Sequence, residues 1–244
     1  IWDRQPAMMR RFAMLWLLAL PAFGQYDGRV LFNVCRPGYS SATVAHDATG
    51  RSTPWIVSTG TTFVSGGKYY FQGGTSNRIQ QASAPAVMIL SSGAYWSVWA
   101  SFVITNPAAA GSYAVLAEGS SASVNPYISL GVTGSNMEFY CRDFATRVTD
   151  VIPTNRVANG WHDTVMVRNG PTINCYLDGS LVGSSNNPNL SPVLTGVNQR
   201  CVGLLPRTTF IIPFKGMIEN VGGANVALTD SEAIYKCTEL RSTR

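Results

Sequence analysis

Trp161-His162-Asp163-Thr164-Val165-Met166-Val167-Arg168-Asn169-Gly170-Pro171-Thr172-Ile173-Asn174-Cys175-Tyr176-Leu177-Asp178-Gly179 is the stretch on which the fold turns. Thr164 to Arg168 is one strand's length of β-forming residues, and Asn169-Gly170-Pro171 ends it with turn chemistry. Ile173, Cys175 and Leu177 then recur with period two as far as Asp178-Gly179, a dipeptide suited to a tight hairpin turn. A helix would place its apolar residues three and four apart. The pattern predicts consecutive antiparallel strands.

The same pattern repeats outward from this stretch. Tyr69-Tyr70-Phe71 follows Gly66-Gly67, and Val98, Ala100, Phe102 and Ile104 share one face of a strand from Ser97 to Thr105. Ile128, Leu130 and Val132 alternate, as do Met137, Phe139 and Cys141. Phe210 to Ile212 and Gly216 to Val221 close the series. Turn signals about every ten residues mean an antiparallel sandwich or barrel. Only Asp230 to Cys237 has helical character, with Thr229 as its cap and Glu232 completing a capping box. No repeat, linker or low-complexity tract intervenes, so residues 25–244 read as one domain and residues 1–24 stand apart.

The 244 residues are ample for a sizeable core. Charged residues make up 13% and hydrophobic residues 45%, and the 23 Gly and 13 Pro are spread as single turns, which excludes disorder and a helical bundle. Of the net charge of +5, Arg4, Arg10 and Arg11 against Asp3 account for +2. No Lys/Arg run follows, so nothing supports nucleic-acid binding through a basic patch. The two histidines, His46 and His162, exclude a multi-histidine metal centre.

Met9-Arg10-Arg11, the apolar run Phe12 to Phe23 and the exit Ala22-Phe23-Gly24 have the layout of a secretory signal peptide. The apolar run is shorter than the roughly 20 residues that span a bilayer. An extracellular protein is expected; the alternative is a retained hydrophobic segment that packs on a partner or holds the chain at a membrane. Cys35, Cys141, Cys175, Cys201 and Cys237 lie far apart with no Cys-x-x-Cys pair, which excludes a zinc ribbon or thioredoxin-type site. An oxidising compartment predicts two disulfides and one remaining thiol, in an arrangement that spacing leaves open, while each cysteine can equally be a small buried hydrophobe. Cys35–Cys237 is the first pairing to examine, since end strands of a sandwich often lie side by side. Asn189-Leu190-Ser191 is the sole N-glycosylation triplet, and Pro192 behind it weakens it.

Several segments also resemble those of a known family. Val44-Ala45-His46-Asp47-Ala48-Thr49-Gly50 is similar to an early Asp-Ser-Ser-Gly turn. Gly66 to Gly74 is similar to a Leu-x-Phe-Asp-Gly strand, with Gln72 in place of the Asp. Ser97 to Thr105 resembles a Thr-Ile-Ser-Ala-Trp-Val strand whose Trp is displaced to Trp99 or replaced by Ser101. Trp161 to Arg168 and then Cys175 to Gly179 resemble Trp-His-x-Val-Ala-Val followed by Leu-Tyr-Val-Asp-Gly. Phe214 to Val221 and Leu228 to Ile234 resemble a closing Phe-x-Gly-x-Ile-Asp strand and Leu-Ser-x-x-Glu-Ile turn. In this order they resemble a laminin G-like domain of the concanavalin A-like lectin/glucanase superfamily, over residues 30–237. The resemblance implies an all-β, two-sheet antiparallel jelly-roll sandwich with one sheet curved to a concave face, here preceded by a short hydrophobic segment.

Glycoside hydrolases of that superfamily carry Glu-x-Asp-x-x-Glu on one strand, because a retaining mechanism needs two carboxylates about 5–5.5 Å apart. This chain has no such motif: Glu138 is followed by Tyr140 and Arg142. It also lacks a Gly-x-Ser-x-Gly elbow, and His162 has a counterpart in the family's strand. An enzyme is not expected. Sugar recognition instead uses aromatic faces with amides and charged groups on the hydroxyls. If Met137, Phe139 and Cys141 face the core, then Glu138, Tyr140 and Arg142 face away from it, and by the same parity so do Tyr127 and Trp99. These five form a candidate glycan platform; the alternative packs Trp99 and Tyr140 under loops and leaves Glu138 and Arg142 as a charge pair. The resemblance further implies one structural calcium, with Asp47, the Gly50 carbonyl, Glu219 and Asn220 at matching segments. Asp47 and Asp178 also suit turns, and Trp161 and Tyr176 suit the core. The expectation is a secreted non-catalytic module for a glycan or another extracellular ligand. The alternative is a structural subunit, homo- or hetero-oligomeric, of an extracellular or membrane-associated assembly.

Overall fold

The computed structural model describes residues 29–85, 87–89, 93–105, 111–143, 148–151, 157–209 and 211–243; the signal-like residues 9–24 lie outside these. Two runs of β-strand dominate the chain. The first comprises β1 (Val30–Val34), β2 (Val44–Ala45), β3 (Trp55–Val57), β4 (Thr61–Ser65), β5 (Lys68–Gln72), β6 (Ile79–Gln81), β7 (Tyr95–Ile104) and β8 (Ser112–Gly119). The second comprises β9 (Tyr127–Thr133), β10 (Asn136–Arg142), β11 (Val148–Val151), β12 (His162–Asn169), β13 (Thr172–Leu177), β14 (Ser180–Asn186), β15 (Gln199–Val202) and β16 (Lys215–Ala224). Helix α1 (Asp230–Ser242) follows.

The decisive stretch folds as its alternation requires. Thr164 pairs with Leu177 and Asn169 with Thr172, making β12 and β13 a tight antiparallel hairpin. Gly170 supplies the positive φ of 63° that closes the turn. Asp178 is also left-handed, at φ 53°, and its carboxylate accepts from the Asp163 N–H (2.9 Å) while lying 2.7 Å from His162 Nδ1. It is therefore more than a turn former, because it ties the start of β12 to the end of β13.

The strands build two antiparallel sheets. One runs β14-β13-β12-β7-β16-β5-β4 with β1 also on β16, the other β11-β10-β9-β8-β15-β6-β3-β2. The faces read from sequence meet between them: Val98, Ala100, Phe102 and Ile104 from the first sheet, Ile128, Leu130, Val132, Met137, Phe139 and Cys141 from the second. The expected strand at Phe210 to Ile212 is smaller than predicted; Ile211 makes an isolated bridge to Leu205, and Phe210 lies outside the described residues.

The outer face of the first sheet is closed by α1. Ala233, Cys237 and Leu240 pack on Trp99, Val165, Val167 and Tyr176. The predicted capping box is formed: Thr229 N–H donates to Glu232 Oε2 (2.7 Å) and Glu232 N–H to Thr229 Oγ1 (3.4 Å). Tyr176 is buried as expected, and its hydroxyl donates to Asp230 Oδ1 at 2.5 Å, so the helix supplies its partner. Trp161 departs from expectation. It is half-buried rather than in the core, with Lys68 Nζ 5.8 Å from its ring centroid. Among the described residues no helix is long and apolar enough to cross a membrane.

All five cysteines are buried free thiols, so the expected disulfides do not form. The suggested partners, Cys35 and Cys237, belong to different apolar clusters, Cys35 between the sheets and Cys237 outside the first sheet beneath α1. A sheet separates them. Burial raises the thiol pKa of Cys35, Cys141, Cys201 and Cys237, that of the last three to about 12, which keeps these four unreactive.

One charge pair lies within the sandwich. Arg200 Nε meets Glu118 Oε1 at 2.6 Å, with both side chains almost wholly buried. Glu118 also accepts from Ile89 N–H (3.0 Å), Arg200 donates to the Val87 carbonyl (2.9 Å), and the guanidinium carbon stands 4.0 Å from the centroid of Phe32. Removing one partner leaves a buried charge uncompensated, so Glu118→Gln is expected to cost about 3–5 kcal/mol in urea unfolding.

A second prediction concerns pH. Burial pulls the His162 pKa down, but the hydrogen bond and charge of Asp178 outweigh it and hold the pKa above its ordinary 6.5. Burial pushes Asp178 up, and its bonds to His162 and the Asp163 N–H outweigh that to hold it below 3.8. The aspartate's contribution is present above 3.8 and fades as pH falls; the histidine's is complete below 6.5 and is lost as pH rises through the raised folded value. The thermal midpoint should therefore drop as pH climbs above 6.5, and His162→Gln should flatten that drop.

Candidate functional site

β9 and β10 pair with Arg142 opposite Tyr127, Tyr140 opposite Ser129 and Glu138 opposite Gly131. Since Met137, Phe139 and Cys141 point into the core, these residues emerge together on the outer face of the second sheet. Tyr127 and Tyr140 are diagonal neighbours there, within reach of each other across adjacent strands. Their rings stack at 5.0 Å between centroids with a 9° interplanar angle. Tyr127 is only 8% exposed, while Tyr140 is half-buried. Burial, and then Tyr140 beside it, push the Tyr127 hydroxyl's pKa far up, so it stays protonated. On the next strand, Asp150 is the register partner of Tyr140.

The segment after β15 crosses this face. The Ala114 N–H donates to the Ile212 carbonyl (3.0 Å), and Leu205 packs with Ala114, Ala117 and Tyr127. Gly119 is needed for the crossing, because a Cβ there would lie 2.0 Å from the Pro206 carbonyl oxygen. The next residue, Arg207, places its guanidinium carbon 5.1 Å from the Tyr127 ring centroid. Sequence reading missed Arg207, which lies in a segment with no periodic pattern. Glu138 is held separately: Thr133 Oγ1 donates to its Oε2 at 2.6 Å, so the expected alternative of a Glu138–Arg142 charge pair is not what fixes it.

Four of the five predicted platform residues are thus gathered, and Trp99 is not. Parity was right in placing Trp99 opposite Val98 and Ala100, but β7 belongs to the first sheet. Its indole is 2% exposed under α1, capped by Lys236 Nζ at 4.8 Å from the ring, with the whole sandwich core between it and Tyr140.

The residues suggested for calcium do not fit an ion. Asp47 Oδ1 accepts from Asn33 and Thr49 N–H (2.8 and 2.9 Å), and Oδ2 from Thr49 Oγ1 and Ser52 N–H (2.7 and 2.8 Å). Burial raises its pKa, yet these four bonds outweigh that and lower it, so it is an ionised turn former with its lone pairs engaged. Gly50 contributes its N–H to the Asp47 carbonyl in the same turn. Glu219 is buried with the Lys68 ammonium 3.9 Å from Oε2, and Asn220 Nδ2 donates to Thr243 Oγ1. Calcium asks for about six to eight oxygens. Among the described residues no three His, Cys, Asp or Glu gather to hold a metal.

A family model described as the concanavalin A-like lectin/glucanases superfamily matches residues 80–233. No curated protein matches the sequence. The fold is shared with solved structures of low identity. The CBM40 of a Ruminococcus gnavus IT-sialidase, bound to α2,3-sialyllactose, is 16% identical with a TM-score of 0.55, over 66% of this chain and 96% of that one. Domain 4 of AbnA, a GH43 extracellular arabinanase from Geobacillus stearothermophilus, in complex with arabinotriose, is 15% identical with a TM-score of 0.64, over 86% and 98%. The binding domain of botulinum neurotoxin DC, in complex with SialylT, is 11% identical with a TM-score of 0.67, over 90% and 53%.

Trp99 is assigned to packing, so Trp99→Ala should cost about 3–5 kcal/mol in denaturant unfolding. The near-UV dichroism of the folded variant should keep the signature of the stacked tyrosines on the opposite sheet.

Proposed function

The chain belongs to the concanavalin A-like lectin/glucanase superfamily, and on that basis we propose that it is a secreted, non-catalytic module that binds a glycan on the outer face of its second sheet. The observation that carries this reading is the stacked Tyr127–Tyr140 pair with Arg142 beside it on an outward sheet face. Three proteins of similar fold are described with saccharides: a sialidase CBM40 with sialyllactose, an arabinanase domain with arabinotriose, and a neurotoxin binding domain with SialylT. The absence of Glu-x-Asp-x-x-Glu supports a binding role over a hydrolytic one. The signal-like residues 9–24 support an extracellular location.

Each residue has a role in this reading. Tyr140 offers the more exposed ring to the C–H side of a sugar, and Tyr127 behind it fixes its tilt; such aromatic pairs contribute about 0.5–1.5 kcal/mol beyond burial. Glu138, positioned by Thr133, accepts from sugar hydroxyls. Arg142 and Arg207 donate to ring or hydroxyl oxygens.

A glycan panel read by fluorescence or calorimetry tests the assignment. At least one saccharide should bind, and Tyr140→Ala should weaken it by about tenfold. A panel without a ligand, or a ligand indifferent to Tyr140→Ala, would overturn it.

A further inference from the structure

Three buried polar atoms at one end of the second sheet's outer face have no hydrogen-bond partner among the described residues: Arg142 Nε, Arg207 Nε and Gln199 Oε1. The fold brings them to one place. Arg142 is opposite Tyr127, Arg207 lies over the Tyr127 ring, and Gln199 is the register partner of Gly119, the residue over which Pro206 passes. Two guanidinium groups therefore converge on one tyrosine, and neither forms an ion pair among the described residues. Glu138 on the same face is engaged by Thr133.

A buried donor left unpaired costs about 1–3 kcal/mol and more when charged, and two neighbouring cations add their repulsion. Water or a neutral hydroxyl can fill a hydrogen-bonding position but leaves the charge unanswered. A carboxylate answers both needs, since its two oxygens match the planar guanidinium fork and its charge offsets the pair. The remaining atom, Gln199 Oε1, is an acceptor and asks for a hydroxyl donor. One molecule that carries a carboxylate and hydroxyls on a single rigid ring, and offers a C–H face to a tyrosine, is an acidic sugar. We propose that the ligand of this face is an acidic glycan whose ring-borne carboxylate sits between Arg142 and Arg207, with a hydroxyl donating to Gln199. This rests on the glycan-binding reading above and narrows it to a ligand class.

The test pairs acidic ligands with neutral counterparts: α2,3-sialyllactose against lactose, and trigalacturonate against its methyl ester. In calorimetry one acidic member should bind, and its neutral counterpart should bind at least about tenfold more weakly. Whichever acidic member binds identifies the source of the carboxylate as a sialic or a uronic acid. Arg142→Gln and Arg207→Gln should each reproduce that loss on the acidic ligand, and binding should weaken with added NaCl. The neutral counterparts need no variant, so a misfolded mutant cannot blur the result. Equal affinity for acidic and neutral members, abolished by Tyr140→Ala but not by either arginine change, would overturn the acidic ligand and leave the glycan reading standing. Binding confined to sulfated glycans would overturn the carboxylate. Failure of every saccharide would remove both.

Discussion

An antiparallel strand has two faces and one register, and in a two-sheet sandwich the inner face is committed to the core. In this protein that constraint places every other feature. Once Phe102, Leu130 and Phe139 face inward, Ser101, Ser129 and Tyr140 are bound to face outward, and it takes a bulge, as between Ala114 and Leu116 on β8, to reset that parity within a strand. The outward faces then divide the work. α1 closes one against Trp99 and Tyr176, while the other, among the described residues, is crossed at one end by the segment carrying Leu205 and Arg207.

The interior is not purely apolar. Arg200 and Glu118 are register partners on β15 and β8 that parity sends inward, and they satisfy each other while reaching the backbone at Val87 and Ile89. An apolar pair of similar volume would be at least as stable in isolation. What the charged pair adds is direction: a carboxylate that accepts from Ile89 N–H and a guanidinium that donates to the Val87 carbonyl fix where that segment docks, and Phe32 covers the guanidinium face. The same pair also fixes the pairing of β8 with β15, and the segment carrying Arg207 departs from β15.

Local features of the chain were legible in the sequence to the extent that they obey a period or a turn rule. The β12–β13 hairpin, the alternation of β9 and β10, and the Thr229–Glu232 capping box could all be read because each is decided within about ten residues. Strand order could not be read this way. Trp99 had the right parity and the wrong sheet, because nothing near it in sequence says that β7 lies between β12 and β16. The Cys35–Cys237 pairing failed for the same reason: it assumed that chain ends meet edge to edge, whereas the C-terminal end is a helix on the far side of a sheet. Asp47 looked like a metal ligand because a ligand and a turn former are the same residue type; its four hydrogen bonds separate the two roles. Arg207 had no periodic signal at all. The one hint was Gly119 on β8, where a Cβ would meet the Pro206 carbonyl oxygen, and only the folded chain shows that this segment passes over it.

Charge balance separates the two outer faces more sharply than shape does. Around the first sheet four charge pairs form among the described residues: Lys68 with Glu219 at 3.9 Å, Arg241 with Asp163 at 3.5 Å, His162 with Asp178 at 2.7 Å, and Lys236 with Glu239 at 2.6 Å along α1. Of these, Arg241 with Asp163 ties α1 to the sheet. On the second sheet the stacked tyrosines stand beside Arg142 and Arg207, and neither guanidinium has a carboxylate within ion-pair distance among the described residues. A face that served only to cover the core would gain from the same pairing used on the other side. In the proposed reading, two part-buried cations set against an aromatic pair that already holds its geometry serve as a preorganised complement to an anionic ligand.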